Sequence, residues 1–134
     1  MMSILRNSIL ISIVIFILML VFTFVRSYNE VKDISVRAKN VMGEECVPSL
    51  IAYYNSIYCV PDDKATVIWA IGQIADDKAL NFLYQLQEKF KCTDCVNNNP
   101  NEYYEICYET NKAIKLCTQG NITSWMYSNR NEWH

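Results

Sequence analysis

The chain has 134 residues, 51% of them apolar, and a formal net charge of −2. It holds three glycines and a single histidine, His134, at the last position. These numbers argue against a basic nucleic-acid binder, a glycine-rich phosphate loop and a triad built on an internal histidine.

Residues 8 to 25, SILISIVIFILMLVFTFV, carry no charge. Eighteen helical residues span about 27 Å, close to the roughly 30 Å hydrocarbon core of a bilayer. Arg6 and Arg26 bracket the run. The pattern predicts a transmembrane signal anchor over residues 1 to 26. A cleaved secretory signal is the competing reading. Its apolar core is about 7–15 residues, shorter than this run. Arg26 also interrupts the small-residue cleavage pattern offered by Val25 and Ser27. No cysteine follows the run closely, so lipoprotein processing is not expected.

Two signals oppose each other on orientation. Arg26, Lys32, Arg37 and Lys39 follow the apolar run, and the positive-inside rule places them in the cytoplasm. All six cysteines also follow it: Cys46, Cys59, Cys92, Cys95, Cys107 and Cys117. An even number in so small a domain reads as disulfides in an oxidising compartment. The cysteines weigh more, so the expectation is an extracytoplasmic domain, in a periplasm, a lumen or the cell exterior.

Residues 27 to 43 are polar, with Val31, Ile34, Ala38 and Val41 on one helical stripe and Gly43 as the stop. They predict a juxtamembrane helix or stalk, and the domain proper is then expected over 44 to 134. Residues 47 to 59 predict a helix with Leu50, Ile51, Tyr54, Ile57 and Tyr58 apolar, Pro48 in its first turn and Pro61 past its exit.

Residues 64 to 90, KATVIWAIGQIADDKALNFLYQLQEKF, predict two apolar-striped helices joined by a tight acidic turn. Ala65, Ile68, Ile71 (or Gly72) and Ala75 give one buried face. Gly72 inside a helix costs roughly 1 kcal/mol relative to alanine, which suggests close approach by a neighbouring helix. Asp76 is placed to cap the second helix, and Asp77 adds negative charge at its positive end. Ala79, Leu80, Leu83, Leu86 and Phe90 form the second stripe.

The words WAIGQIADDKAL, with Ala65, Trp69, Ala70, Ile71, Gly72, Ile74, Asp76, Ala79, Leu80, Leu83 and Leu86, resemble one repeat of the HEAT family, in its short PBS-lyase-type form. Two positions depart from the family pattern: Ala75 stands where glycine is usual, and Asp77 where proline is usual. The resemblance covers about a fifth of the chain. It implies a helical surface for holding protein partners. Some proteins of this type attach bilins, but no residue here points to a pigment site. The resemblance makes 47 to 59 the second helix of a partial repeat before it, and 102 to 117 the first helix of one after it.

The helix over 102 to 117 has the stripe Tyr103, Ile106/Cys107, Thr110, Ala113/Ile114 and Cys117, and Gly120 follows it. The tail predicts one short helix around 122 to 128 with Asn121 at its start. Asn121, Ile122 and Thr123 also form a glycosylation acceptor if the domain is lumenal in a eukaryote. About two repeats are too few to bury a continuous core. Disulfides, at roughly 2–4 kcal/mol each, or a partner extending the stack would compensate.

Cys92 and Cys95 form a CxxC. A zinc site needs two further ligands at matched spacing, and Cys107 and Cys117, ten apart on one helix, do not supply them. A redox pair needs a helix N-terminus, whereas this pair follows a helix end. The staple reading remains. A bridge from Cys92 or Cys95 to Cys107 is easy in an antiparallel hairpin. Cys46 and Cys59 bracket a helix and are expected to pair elsewhere. Glu44 and Glu45, Asp62 and Asp63, Asp76 and Asp77 read as helix-start charges rather than as catalytic or calcium groups.

Nine tyrosines and three tryptophans are many for a small domain. Trp69 is expected in the core. Tyr53, Tyr54, Tyr103, Tyr104, Tyr108, Trp125, Tyr127 and Trp133 cannot all be buried in so few layers, and exposed aromatics favour protein interfaces. The fold expected is all-α: a transmembrane helix followed by a small, disulfide-stapled, HEAT-like domain. The function expected is non-enzymatic binding or scaffolding without a cofactor. It would engage a membrane-associated protein partner, the membrane through residues 8 to 25, and no nucleic acid. The alternatives are a thiol redox or assembly factor using Cys92 and Cys95, and a bilin-lyase-like protein.

Overall fold

The computed structural model describes residues 2–92 and 103–134, and these are all-α. Five α-helices run in order: α1 (Met2–Met42), α2 (Cys46–Asn55), α3 (Pro61–Ile74), α4 (Leu80–Lys89) and α5 (Tyr104–Gln119). A 3-10 turn at Asp77–Ala79 joins α3 to α4, and two more, Ser124–Tyr127 and Arg130–Glu132, follow α5.

The chain divides into two compact units, Met1–Glu30 and Val31–His134. The first is long and apolar enough to cross a membrane, and none of its apolar window is buried by protein. Two of its hydroxyls are satisfied within the helix: Ser12 Oγ donates to the Ser8 carbonyl at 3.1 Å and Thr23 Oγ1 to the Met19 carbonyl at 2.8 Å. A hydroxyl bonded to its own helix is tolerable in lipid, where water is absent.

The second unit begins earlier than the composition shift suggests. Val31, Ile34 and Ala38, assigned to a stalk by their polar neighbours, are fully buried in the domain core with Val47, Leu50 and Ile68. Their narrow stripe packs on the domain itself. The domain therefore begins at Val31 rather than at residue 44.

Helix α2 ends at Asn55, short of residue 59. Ser56 stops it, with its N–H and its hydroxyl both donated to the Tyr53 carbonyl. Ile57 and Tyr58 consequently leave the helical stripe and are exposed. Helix α3 has Pro61 at its first position and Asp62 and Asp63 in its first turn, which suits a helix start and the dipole. Its buried face is Val67, Ile68, Ala70, Ile71, Gly72 and Ile74; Ala65, Trp69 and Ala75 are half-buried.

The acidic turn is a left-handed cap. Ala75 adopts φ 55° and ψ 42°, the conformation for which glycine is usual. Asp76 then accepts the Lys78 N–H at 3.0 Å, capping the 3-10 turn that leads into α4. Helix α5 packs chiefly on α3 and next on α4, and α3 and α4 touch each other less than either touches α5. A Cβ on Gly72 would stand 2.9 Å from Ala113 Cα, so this glycine is the point of contact between α3 and α5. Cys117 lies within the influence of Asp76 and Asp77, one turn beyond that contact on both helices, so α3 and α5 run in the same direction. Helix α4 is antiparallel to α5: Gln87 bonds Asn111 at 2.8 Å, whereas Cys92, five residues later, meets Cys107, one turn earlier in α5.

Candidate interaction surface

The aromatic positions divide cleanly. Tyr53, Tyr54, Tyr127 and Trp133, expected at an interface, are buried in the core. Tyr53 and Tyr54 follow Val47 and Leu50 at helical spacing on the inward face of α2. Tyr54 meets Phe82 edge-on at 5.3 Å between ring centres. Burial, and then neighbouring Cys59, push the Tyr54 hydroxyl up to about 12. Tyr127 and Trp133 pack edge-to-face at 6.4 Å where the tail folds back on the domain.

Tyr103, Tyr104, Tyr108 and Trp125 are exposed. Three of them gather at the start of α5. Tyr104 and Tyr108 lie one turn apart with nearly parallel rings, 18° between planes and 6.5 Å between centres. Lys112, one turn further, stands over the Tyr108 ring at 5.7 Å. Tyr103 stacks on Phe90 at 5.0 Å, and Lys89 stands over Phe90 at 5.3 Å. The spacing i, i+4, i+8 aligns Tyr104, Tyr108 and Lys112 along the outer side of α5. Beside them burial raises the Glu109 carboxyl despite Lys112 at 3.8 Å, with Glu105 pushing the same way.

The start of α5 is fixed from beneath. Cys92 and Cys107 lie at disulfide distance, with 5.0 Å between Cα atoms. This is one of the two bridges that antiparallel packing made easy. Cys95 lies outside the described residues. The other described cysteines depart from expectation: among the described residues, Cys46, Cys59 and Cys117 form no bridge. Cys46 faces into the core beside Ser35, at the opposite end of α2 from the loop that holds Cys59. Burial is the main cause that raises all three thiols, and Asp76 and Asp77 add to it at Cys117, which reaches about 11. Groups so raised stay protonated at neutral pH and are poor nucleophiles.

The tail is held by contacts that the sequence does not show. Arg130 Nη2 donates to Asp76 Oδ2 at 2.6 Å in a largely buried pair. Lys39 Nζ donates to the carbonyls of Asn131 at 2.7 Å and Trp133 at 3.0 Å. Asn121, expected to start a helix, forms a local turn instead: its Oδ1 accepts from Thr123, while its Nδ2 donates to the Gln73 carbonyl near the end of α3. The acceptor amide of the glycosylation motif is thus engaged in the fold. One signal was available: Arg130 is the lone Lys or Arg in the final nineteen residues. Its partner was not, because Asp76 lies 54 residues away.

No family model, curated protein or solved structure matches this chain.

Proposed function

We propose that this is a single-pass, membrane-anchored binding or scaffold protein, with a HEAT-like domain outside the cytoplasm serving as an accessory subunit of a membrane complex. The observation that carries the reading is the ladder of Tyr104, Tyr108 and Lys112 on α5. Two exposed tyrosines, with the Lys112 ammonium over the Tyr108 ring, give a partner a large aromatic contact at low entropy cost. The ladder lies on the last full helix, where a longer stack would continue.

The helix directions fit the repeat reading: α3 and α5 run the same way with α4 returning, although α3 and α4 are joined chiefly through α5. The bridge between Cys92 and Cys107 favours an oxidising compartment. Of the cations that argue for the cytoplasm, Arg37 pairs with Asp33 and Asp63, and Lys39 holds the tail, so both have folding roles. The thiol-redox alternative has less support, since Cys92 faces Cys107 and the other described thiols are held protonated.

Extraction in mild detergent tests the proposal. The intact protein is expected to co-purify with a membrane protein, and Tyr104→Ala with Tyr108→Ala to lose it while keeping helical content and unfolding midpoint. Recovery of the intact protein alone and monodisperse would count against the subunit reading.

A further inference from the structure

We infer that the loop at residues 56–60 is a second lipid contact, with Ile57, Tyr58 and Val60 seated in the interfacial layer of the bilayer that the N-terminal helix crosses. The inference rests on the membrane-spanning reading of that helix.

The loop is an unusual piece of surface. Ile57 is 92% exposed, Tyr58 62% and Val60 52%, and no residue from 56 to 60 is charged. Cys59 is the one side chain turned inward. The loop is also held in shape. The Ser56 hydroxyl donates to the Tyr53 carbonyl at 2.7 Å and accepts the Tyr58 N–H at 3.2 Å. The buried Tyr53 hydroxyl donates to the Tyr58 carbonyl at 3.2 Å. A rigid, uncharged loop that offers three apolar side chains to water is a surface built to be covered.

Its position says by what. Within the domain, the chain enters at Val31. Arg37 joins Asp33, on the first turns after that point, to Asp63 in the first turn of α3, at 2.9 and 3.1 Å. Asp63 donates its N–H to the Val60 carbonyl at 3.0 Å, so the loop stands beside those same turns. The other end of α3 lies at the opposite end of the domain. There Asp76 holds Arg130, Lys39 holds the carbonyls of Asn131 and Trp133, and Glu45 pairs with Lys78 at 3.4 Å. The loop therefore marks the end of the domain at which the chain arrives.

Only residues 26 to 30 separate the apolar run from Val31. Five helical residues rise about 7.5 Å, about the depth of one headgroup layer. A loop tethered this closely meets the bilayer surface at high effective concentration. The side chains suit that layer. Tyrosine prefers the boundary between apolar and wet, and isoleucine and valine lower the cost of reaching the acyl chains.

The test uses the full chain in phosphatidylcholine–phosphatidylglycerol vesicles. Ile57→Trp adds an indole at a fully exposed position, where the fold tolerates it, and its emission is read as the difference from the parent protein. The contact predicts added emission that is blue-shifted, quenched by lipids brominated on the acyl chain and shielded from iodide. Added emission that iodide quenches and brominated lipid leaves unchanged overturns the contact alone, provided the parent protein floats with the vesicles after a carbonate wash. Loss of the parent protein in that wash overturns the membrane span, and the loop contact with it.

Discussion

At the level of single residues, the most informative position is Gly72. A glycine within α3 signals a close neighbour, and the neighbour is the backbone of Ala113. Alanine at 72 would gain about 1 kcal/mol of helix propensity. Its methyl would sit 2.9 Å from Ala113 Cα and 3.0 Å from Ala113 Cβ, and neither atom can swing away. Overpacking of this kind costs about 1–3 kcal/mol, so Gly72→Ala is expected to lower the unfolding midpoint. Adding Ala113→Gly should recover part of the loss. Urea titration of both variants measures the coupling. The glycine was legible in the sequence, whereas its partner, 41 residues away, was not.

Among elements, two cross-links hold what helix packing leaves loose. The bridge between Cys92 and Cys107 closes a sequence separation of 15. A loop of that size is worth about 3 kcal/mol. Reductant is expected to lower the parent protein's stability by about that amount and to leave Cys107→Ala unaffected, as thermal melts with and without dithiothreitol would report. The second cross-link is ionic. Burial pushes the Asp76 carboxyl up, but the Lys78 N–H and the hydrogen bond and charge of Arg130 outweigh it, so the group lies below its ordinary 3.8. A carboxyl that is lower when folded stabilises fully above its unfolded value and loses that contribution as pH falls through the folded one. Stability is therefore expected to fall below about pH 4. Asp76→Asn should cost about 2 kcal/mol at pH 7 and flatten that acid limb, read from urea midpoints between pH 2 and pH 7. The sequence marks Asp76 as a cap for the second helix, and it caps the 3-10 turn that leads into that helix. The sequence does not show its pairing with Arg130, because an ion pair between distant segments leaves no periodic trace.

For the molecule as a whole, the boundary of the domain is the main correction. Charge and polarity divide the chain after residue 43, whereas burial divides it at Val31. Val31 and Ile34 are buried side chains worth about 1.5–3 kcal/mol each, so removing them costs about 3–6 kcal/mol. Small domains are stable by about 5–15 kcal/mol in all. A fragment of residues 31–134 is expected to unfold cooperatively, and one of residues 44–134 to lack a cooperative transition; circular dichroism during urea unfolding distinguishes them.

The sequence by itself determined what repeats locally: the apolar run of residues 8–25, the helical stripes, the glycine and acidic turn of α3, and the ease of a bridge to Cys107. Each follows from chain chemistry within a few turns of helix. Only the tertiary structure decided which aromatic residues face water, which cysteines stay free, and that the supposed stalk belongs to the core. Those outcomes depend on which faces meet across tens of residues. Tyr54 and Tyr104 carry the same side chain, and only packing buries one and exposes the other.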